Sequence, residues 1–469
     1  IKDVVDMFMA KDYVQAWMAV VREVNSYKEK AVLTAIHDAA LDPQAVKGEK
    51  WYHLLPLWTR KFERGVFVKN KFRAAMDGSQ MRPGWDCRPD IFSPTPMSAT
   101  VKWMLALCAT RLKRGLRKMR SIDLETFFLQ TDINPKYGGH KIAVPPYWIT
   151  GEMTLDEVTA LHNKYMEWSK LPDGPAKLRE ERRKWKKRSN IYYFRSEKMI
   201  YGDKAASRES NDSLNHALTV EMHYTRSTYD PCLYWYEPKV YAVRFRKKLK
   251  KARSASHRTD ATEDGARSAP PEIHMVCGHV DDLAHQGDDD DMTWFEEELA
   301  KHFTIGKAED MTSFLGMSID QDDEACTVHC SQPGLMLKLE SIHGHLWQGK
   351  KPPSTPLPPG IELTERATDE QFQQAKGGPF ANIVSTLAYA SRMTAIHLAL
   401  PVALLSRHMS KWSAEHMQLA IRVAHYAMIH KNEGITFCGY GNDEDDTLSG
   451  TADASFGERA LLAHFVLIN

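Results

Sequence analysis

The stretch from Ile273 to Gly287 constrains the fold of this chain more than any other. Ile273, Met275, Cys277 and His279 alternate with their neighbours, Val280-Asp281-Asp282 follows, and Leu283 and Ala284 resume. Alternation at period two marks strands, and a polar break between two such runs marks a hairpin, so the spacing predicts a β-hairpin with two carboxylates at its turn. Adjacent aspartates are also ordinary turn formers, and Asp288 to Asp291 reads as a solvated run of that kind. A further carboxylate changes the balance. Asp123 ends the short run Met119-Arg120-Ser121-Ile122 and precedes Leu124-Glu125-Thr126-Phe127-Phe128-Leu129. A strand-end Asp, if it faces a hairpin Asp pair, would build a site for two divalent cations.

Such a site suits phosphoryl transfer, in which the attacking oxygen and the leaving pyrophosphate both develop negative charge. Two ions roughly 3.5–4 Å apart stabilise both. Carboxylate oxygens are hard ligands of the kind magnesium prefers.

With 469 residues the chain can bury more than one core, and length alone suggests roughly two to four domains. Hydrophobic residues make up 43% and charged residues 26%, the composition of a globular protein rather than a disordered or membrane one. No apolar run approaches the roughly 18 residues of a membrane-spanning helix, and no signal-peptide pattern opens the chain, so an intracellular location without a membrane partner is expected. The seven cysteines are scattered and odd in number, which implies no disulfide framework. Cys326 and Cys330 lack a second Cys or His pair at zinc spacing and read as reduced thiols.

Net charge is only +1, but the basic residues are clustered. One cluster is Arg111, Lys113, Arg114, Arg117, Lys118 and Arg120; a second runs from Arg179 to Arg188 and a third from Arg244 to Arg253. Each alone is a solvated face, and the three together favour contact with nucleic acid.

Along the chain, Ala10, Val14, Trp17, Val21 and Val24 recur at helical spacing and predict an amphipathic helix. Short β-rich runs and helices mix from about Trp51 to Ile319. From Phe380 to His430 the period is helical, with Met417, Ile421, Ala424 and Met428 in one stripe. Residues 251–272 have almost no large apolar side chains and read as a flexible insertion. Lys351 to Gly360 carries five prolines and reads as an extended connector.

Asp123 with its following Phe-Phe-Leu resembles the first polymerase motif of copia-type retrotransposon reverse transcriptases, and His279-Val280-Asp281-Asp282 resembles their Tyr-Val-Asp-Asp. Between them, Ile200-Tyr201-Gly202-Asp203-Lys204-Ala205-Ala206-Ser207-Arg208 is similar to the family's Leu-Tyr-Gly-Leu-Lys-Gln-Ala-Pro-Arg, and Asp230-Pro231-Cys232-Leu233-Tyr234 to its Asp-Pro-Cys-Leu-Tyr. Downstream, Phe314-Leu315-Gly316-Met317 resembles the primer-grip hairpin and Ser354-Thr355-Pro356-Leu357 a connector. Trp17 with its helix, Phe92-Ser93-Pro94 and Leu404-Leu405-Ser406-Arg407 extend the resemblance over nearly the whole chain. Thr451-Ala452-Asp453-Ala454-Ser455 resembles the first strand of the RNase H domain. Without that domain's further carboxylates no RNase H activity is expected.

The resemblance implies an α+β fold of the right-hand polymerase type. Its parts are an N-terminal helical extension (1–50), fingers and palm (51–325, interrupted by 251–272), a helical thumb (326–432) and an incomplete RNase H-like segment (433–469). It implies that Asp123, Asp281 and Asp282 hold two Mg²⁺ or Mn²⁺ ions, and that Phe128 lies under the sugar of the incoming nucleotide. Arg73, with Lys69 and Lys71, would meet the triphosphate, and Tyr201, Gly202 and Lys204 would line the nucleotide site. Phe314, Leu315, Gly316 and Met317 would hold the primer. The implied partners are deoxynucleoside triphosphates and a primed RNA or DNA template, in a cytoplasmic particle or the nucleus. On the residues alone, Phe128 also reads as a core aromatic, Arg73 as an exposed cation and Gly202 as a turn glycine.

Several positions depart from the family pattern: His279 stands for Tyr, Ala205 for Gln, Ser207 for Pro and Ser210 for Trp. None removes a carboxylate. Two readings stay open, an active polymerase and a decayed or domesticated copy that binds nucleic acid without extending primers. A metal-dependent phosphohydrolase would use clustered aspartates too, but leaves the glycine turn and the second hairpin unexplained.

Overall fold

A computed structural model of the chain describes residues 4–37, 51–63, 66–134, 142–144, 153–185, 192–236, 273–361, 363, 366–439, 448–455 and 461–468. The expected flexible insertion at 251–272, the third basic cluster and the end of the N-terminal extension lie outside them. The fold is mixed α+β. Among the described residues, no helix is long and apolar enough to cross a membrane. The chain divides into two compact units, each assembled from three separated stretches. The first comprises Ile1–Thr95, Leu124–Tyr224 and Glu298–Gly306, the second Pro96–Asp123, Thr225–Glu297 and Lys307–Asn469. The expected fingers-and-palm block is thus shared between both units rather than forming one.

The first unit is built on a five-stranded sheet in the order Leu33–His37, Tyr192–Ser196, Ile142–Val144, Trp51–Glu63, Val66–Met76. The last two strands form a long antiparallel ribbon, on which Trp58 and Phe72 pair across the strands with ring centroids 4.9 Å apart. The expected N-terminal helix is two helices, Val4–Met9 and Tyr13–Glu29. The break falls at Ala10–Asp12, and the Asp12 carboxylate at the N-cap position does not cap the second helix. It accepts instead from Arg60 and from Asn70 Nδ2 (2.7 Å) on the ribbon. Phe8, Trp17, Tyr165 and Trp185 join these helices to a helical pair, Leu155–Trp168 and Gly174–Trp185, in one core. The second basic cluster begins on that last helix. Arg179 and Arg183 are exposed there, whereas Arg182 donates to Asp6 (2.8 Å) and Lys184 to Glu181 (3.1 Å).

The second unit holds a sheet that runs, in order, Glu309–Asp310, Arg120–Asp123, Asp282–Gln286, Met275–His279, Leu233–Tyr236. Helix Ser98–Lys113 covers it through Val101, Met104, Leu105 and Cys108, which pack with Cys277 and Ala284. Ser313–Phe314, Met317–Asp322, Thr327–Ser331 and Gly434–Cys438 form another sheet. The expected helical region therefore opens on a strand, and its first helix starts at Pro333. Helices Phe380–Met393, Ala399–Ser406 and Ala414–Ile429 enclose a core of their own around Phe380, Leu387, Leu405 and Ala424. The predicted stripe lies on the last of them, with Met417, Ile421 and Ala424 buried and Met428 packed at its margin. Leu448–Ser455, which carries Asp453, pairs with Leu461–Ile468 in a two-stranded ribbon.

Two surface expectations change. Asp289 and Asp290 are exposed as expected, but with the buried Asp291 they form not a loop turn but the first turn of helix Asp289–His302, where carboxylates complement the helix dipole. In the first basic cluster Arg111 is buried and donates to the Ile273 carbonyl (2.7 Å), Arg117 pairs with Asp289 (2.9 Å), and Lys118 and Arg120 pair with Asp323 and Glu296. Lys113 and Arg114 of the same cluster are exposed.

Candidate functional site

The hairpin predicted at Ile273 to Gly287 is present. His279 pairs with Asp282, leaving Val280-Asp281 as a two-residue loop. On its other side Asp282 pairs with Asp123 in antiparallel register. Residues directly opposite on paired strands project from the same face with Cβ atoms about 4.5–5.5 Å apart, and like charges so placed repel. Asp123 and Asp282 are exposed at this end of the sheet, and Asp281 is half-buried on the turn between the strands. Val280 has φ 56°, the left-handed region, which costs a β-branched residue about 1–2 kcal/mol. Strain of this kind concentrates at working sites.

Among the described residues, no group of three or more His, Cys, Asp or Glu side chains forms a ready cage for a metal ion. Magnesium rarely uses such a cage; it binds through one or two carboxylates and completes its shell with water and substrate phosphates. The opposed pair Asp123 and Asp282, with Asp281 beside them, brings hard carboxylate oxygens together at this end of the sheet.

What holds the carboxylate strands is largely polar. Gln321 reaches from the neighbouring sheet to the residue before strand Arg120–Asp123: its amide donates to the carbonyls of Met119 (3.0 Å) and Met311 (2.9 Å), and its Oε1 accepts from Met119 N (2.8 Å). Asp230 is buried, accepting from the backbone of Met97 and Cys232 (both 2.9 Å), so the Asp-Pro-Cys motif fixes the next strand. Beneath the sheet, Arg120 lies opposite His285, whose Nε2 is 3.5 Å from Glu296 Oε1 and whose Nδ1 is 3.2 Å from His274 Nε2. Burial, helped by Arg120, pushes the His285 imidazole down to about 3, so it is neutral.

The second hairpin lies against the first. Phe314 pairs with Met317 around Leu315 (φ 48°) and Gly316 (φ 72°), both in the left-handed region that suits two-residue turns. Phe314 and Met317 are buried, and Tyr389 from helix Phe380–Met393 donates to the Leu315 carbonyl (2.7 Å). The His279 ring meets Phe314 edge-on at 6.5 Å. Burial holds the His279 imidazole below its ordinary range, with Asp281 opposing.

The remaining candidates belong to the first unit. Arg73 Cζ stands 4.5 Å over the Tyr201 ring, and Tyr201 lies 5.5 Å from Phe128, so these three form one cluster. Gly202 has φ 86°, and a Cβ there would lie 2.0 Å from the Met76 carbonyl oxygen. Contact with the chain's own backbone therefore accounts for this glycine. Lys204 is tied to its own scaffold, donating to the Met81 carbonyl (2.7 Å). Lys69 and Lys71 are exposed on the ribbon. Ser210, in the place of the family's Trp, is buried and shares a 2.8 Å hydrogen bond with Thr131. Sequence reasoning did not find Glu23 and Tyr27, which reach this cluster from helix Tyr13–Glu29; on an amphipathic helix they look like margin residues.

No protein-family model matches the chain, and no curated protein matches it.

Proposed function

We propose that the chain is an RNA-directed DNA polymerase of the copia retrotransposon type. The observation that carries the reading is the register that sets Asp282 opposite Asp123, with Asp281 beside them on a strained turn. Asp123, Asp281 and Asp282 would hold two Mg²⁺ or Mn²⁺ ions, which supply charge stabilisation for nucleotidyl transfer. Phe314 to Met317, anchored by Tyr389 and packed on His279, present a buried, well-fixed hairpin suited to holding a primer end near the carboxylates. In the first unit the planar, forked guanidinium of Arg73 suits a triphosphate. Phe128 and Tyr201 offer aromatic surface to a sugar and base.

The test is extension of a DNA primer on an RNA template with deoxynucleoside triphosphates and Mg²⁺ or Mn²⁺. Extension by the wild type and its loss in Asp281→Asn/Asp282→Asn supports the reading. A folded wild-type protein that binds the primed template without extending it sinks it in favour of a copy that only binds.

A further inference from the structure

We propose that Glu23 is a positioning residue for Arg73, holding the guanidinium on Tyr201 and yielding it to an incoming phosphate; this rests on the nucleotide-handling role given to Arg73 above. Strand Val66–Met76 is the edge of its sheet, and the N–H and C=O of Ala74 both face outward from it, in the same phase as Met76, whose N–H donates to the Tyr201 carbonyl (2.6 Å). Helix Tyr13–Glu29 satisfies these two edge groups with two side chains. Tyr27 donates its hydroxyl to the Ala74 carbonyl (2.6 Å), and Glu23 accepts from the Ala74 backbone. One residue back along the strand stands Arg73.

This clasp is more than edge protection. A neutral Gln at 23 could accept from the same N–H, yet an acid stands there, largely removed from water and beside a cation. Glu23 Oε1 and Arg73 Nε are both buried without a hydrogen-bond partner among the described residues. The two are thus neighbours by charge and not a closed salt bridge, and the guanidinium is held by the Tyr201 face instead. Every charged or titratable group facing Glu23 bears on the same balance: Arg73 and Lys71 from the ribbon, Tyr27 from its own helix, and Tyr201 beyond Arg73. Burial raises the Glu23 carboxyl to about 7, with Arg73, the Ala74 backbone and Lys71 opposing. Above that value an anion restrains Arg73; below it the restraint is gone.

The readout is the rate at which an arginine-specific dicarbonyl, phenylglyoxal, modifies Arg73, followed by mass spectrometry and divided by the rate at exposed Arg179 of the same molecule. In the wild type this ratio should fall about threefold or more between pH 6 and pH 8.5, the scale of a nearby partly shielded charge. In Glu23→Gln, which keeps an acceptor for Ala74, the ratio should stay at its pH 6 value. A wild-type ratio that does not change with pH overturns the proposal, whether or not the variant folds. In primer extension, Glu23→Gln should alter the pH profile of KM for the nucleotide and leave kcat alone. Absence of extension would sink the polymerase reading, while the modification ratio would still decide the role of Glu23.

Discussion

The two tight turns of the second unit are built alike and filled differently. Leu315-Gly316 meets the backbone halfway: both residues are left-handed, a glycine takes the second place while a Leu, unbranched at Cβ, takes the first, and the flanking Phe314 and Met317 sit in an apolar core. Val280-Asp281 does not. A β-branched residue is forced to φ 56°, acids occupy the turn and the strand beside it, and behind that strand lies the polar nest of His285, His274, Glu296 and Arg120. The two turns thus share a left-handed residue that carries a side chain and differ in what surrounds it, apolar side chains at one and acids with a polar nest at the other.

The strongest way to break this contrast is to neutralise the acids. Asp281→Asn/Asp282→Asn should lower primer extension about a thousandfold or more, the scale on which removal of transition-state charge stabilisation acts, with little change in urea stability because Asp282 is exposed and Asp281 only half-buried. Loss of fold with loss of activity would make these residues structural.

The polar nest gives the next effect. Because His285 is held near 3, the unfolded chain takes up a proton below its ordinary value of about 6.5 that the folded chain refuses. Stability is thus complete above about 6.5 and falls as the pH drops toward 3, by roughly a few kcal/mol at most. His285→Phe should flatten the acid limb of the denaturation midpoint relative to wild type. An unchanged limb would show that His285 does not govern it.

Smaller effects compare the turns directly. Val280→Gly should stabilise the protein by about 1 kcal/mol by releasing the left-handed strain, while extension falls several-fold as the turn loosens. Gly316→Ala should destabilise by about 1 kcal/mol although nothing lies within 4 Å of the added Cβ, the cost being conformational alone. If both substitutions shift urea midpoints in the same direction, the two turns do not differ in the way described.

The carboxylate hairpin and the stripe Met417, Ile421 and Ala424 were legible in the sequence because both depend on period and near neighbours. Features set by distant partners were not. The pairing of Asp12 depends on Arg60 and Asn70, and that of the first basic cluster depends on Asp289, Glu296 and Asp323. A run of lysines and arginines announces a charge but not whether an acid far along the chain already answers it. Of the candidate site, the identities of Asp123, Asp281 and Asp282 could be read, whereas the register that opposes two of them could not. Glu23 was invisible because its meaning comes from Ala74 and Arg73 on an edge strand distant along the chain.

The interleaving of the two units bears on how the chain is made. The first unit takes Glu298–Gly306 as its last piece, where the Thr304 carbonyl accepts from Glu125 N (3.1 Å) and the Thr304 amide donates to Gln130 (2.7 Å). On a ribosome adding roughly 5–20 residues per second, the stretch before Thr95 waits on the order of ten seconds or more for that piece to emerge. In the interval the segments of the second unit are already being delivered. Neither half can finish before the other has begun, so a nascent chain of this kind depends on being shielded until synthesis is well advanced.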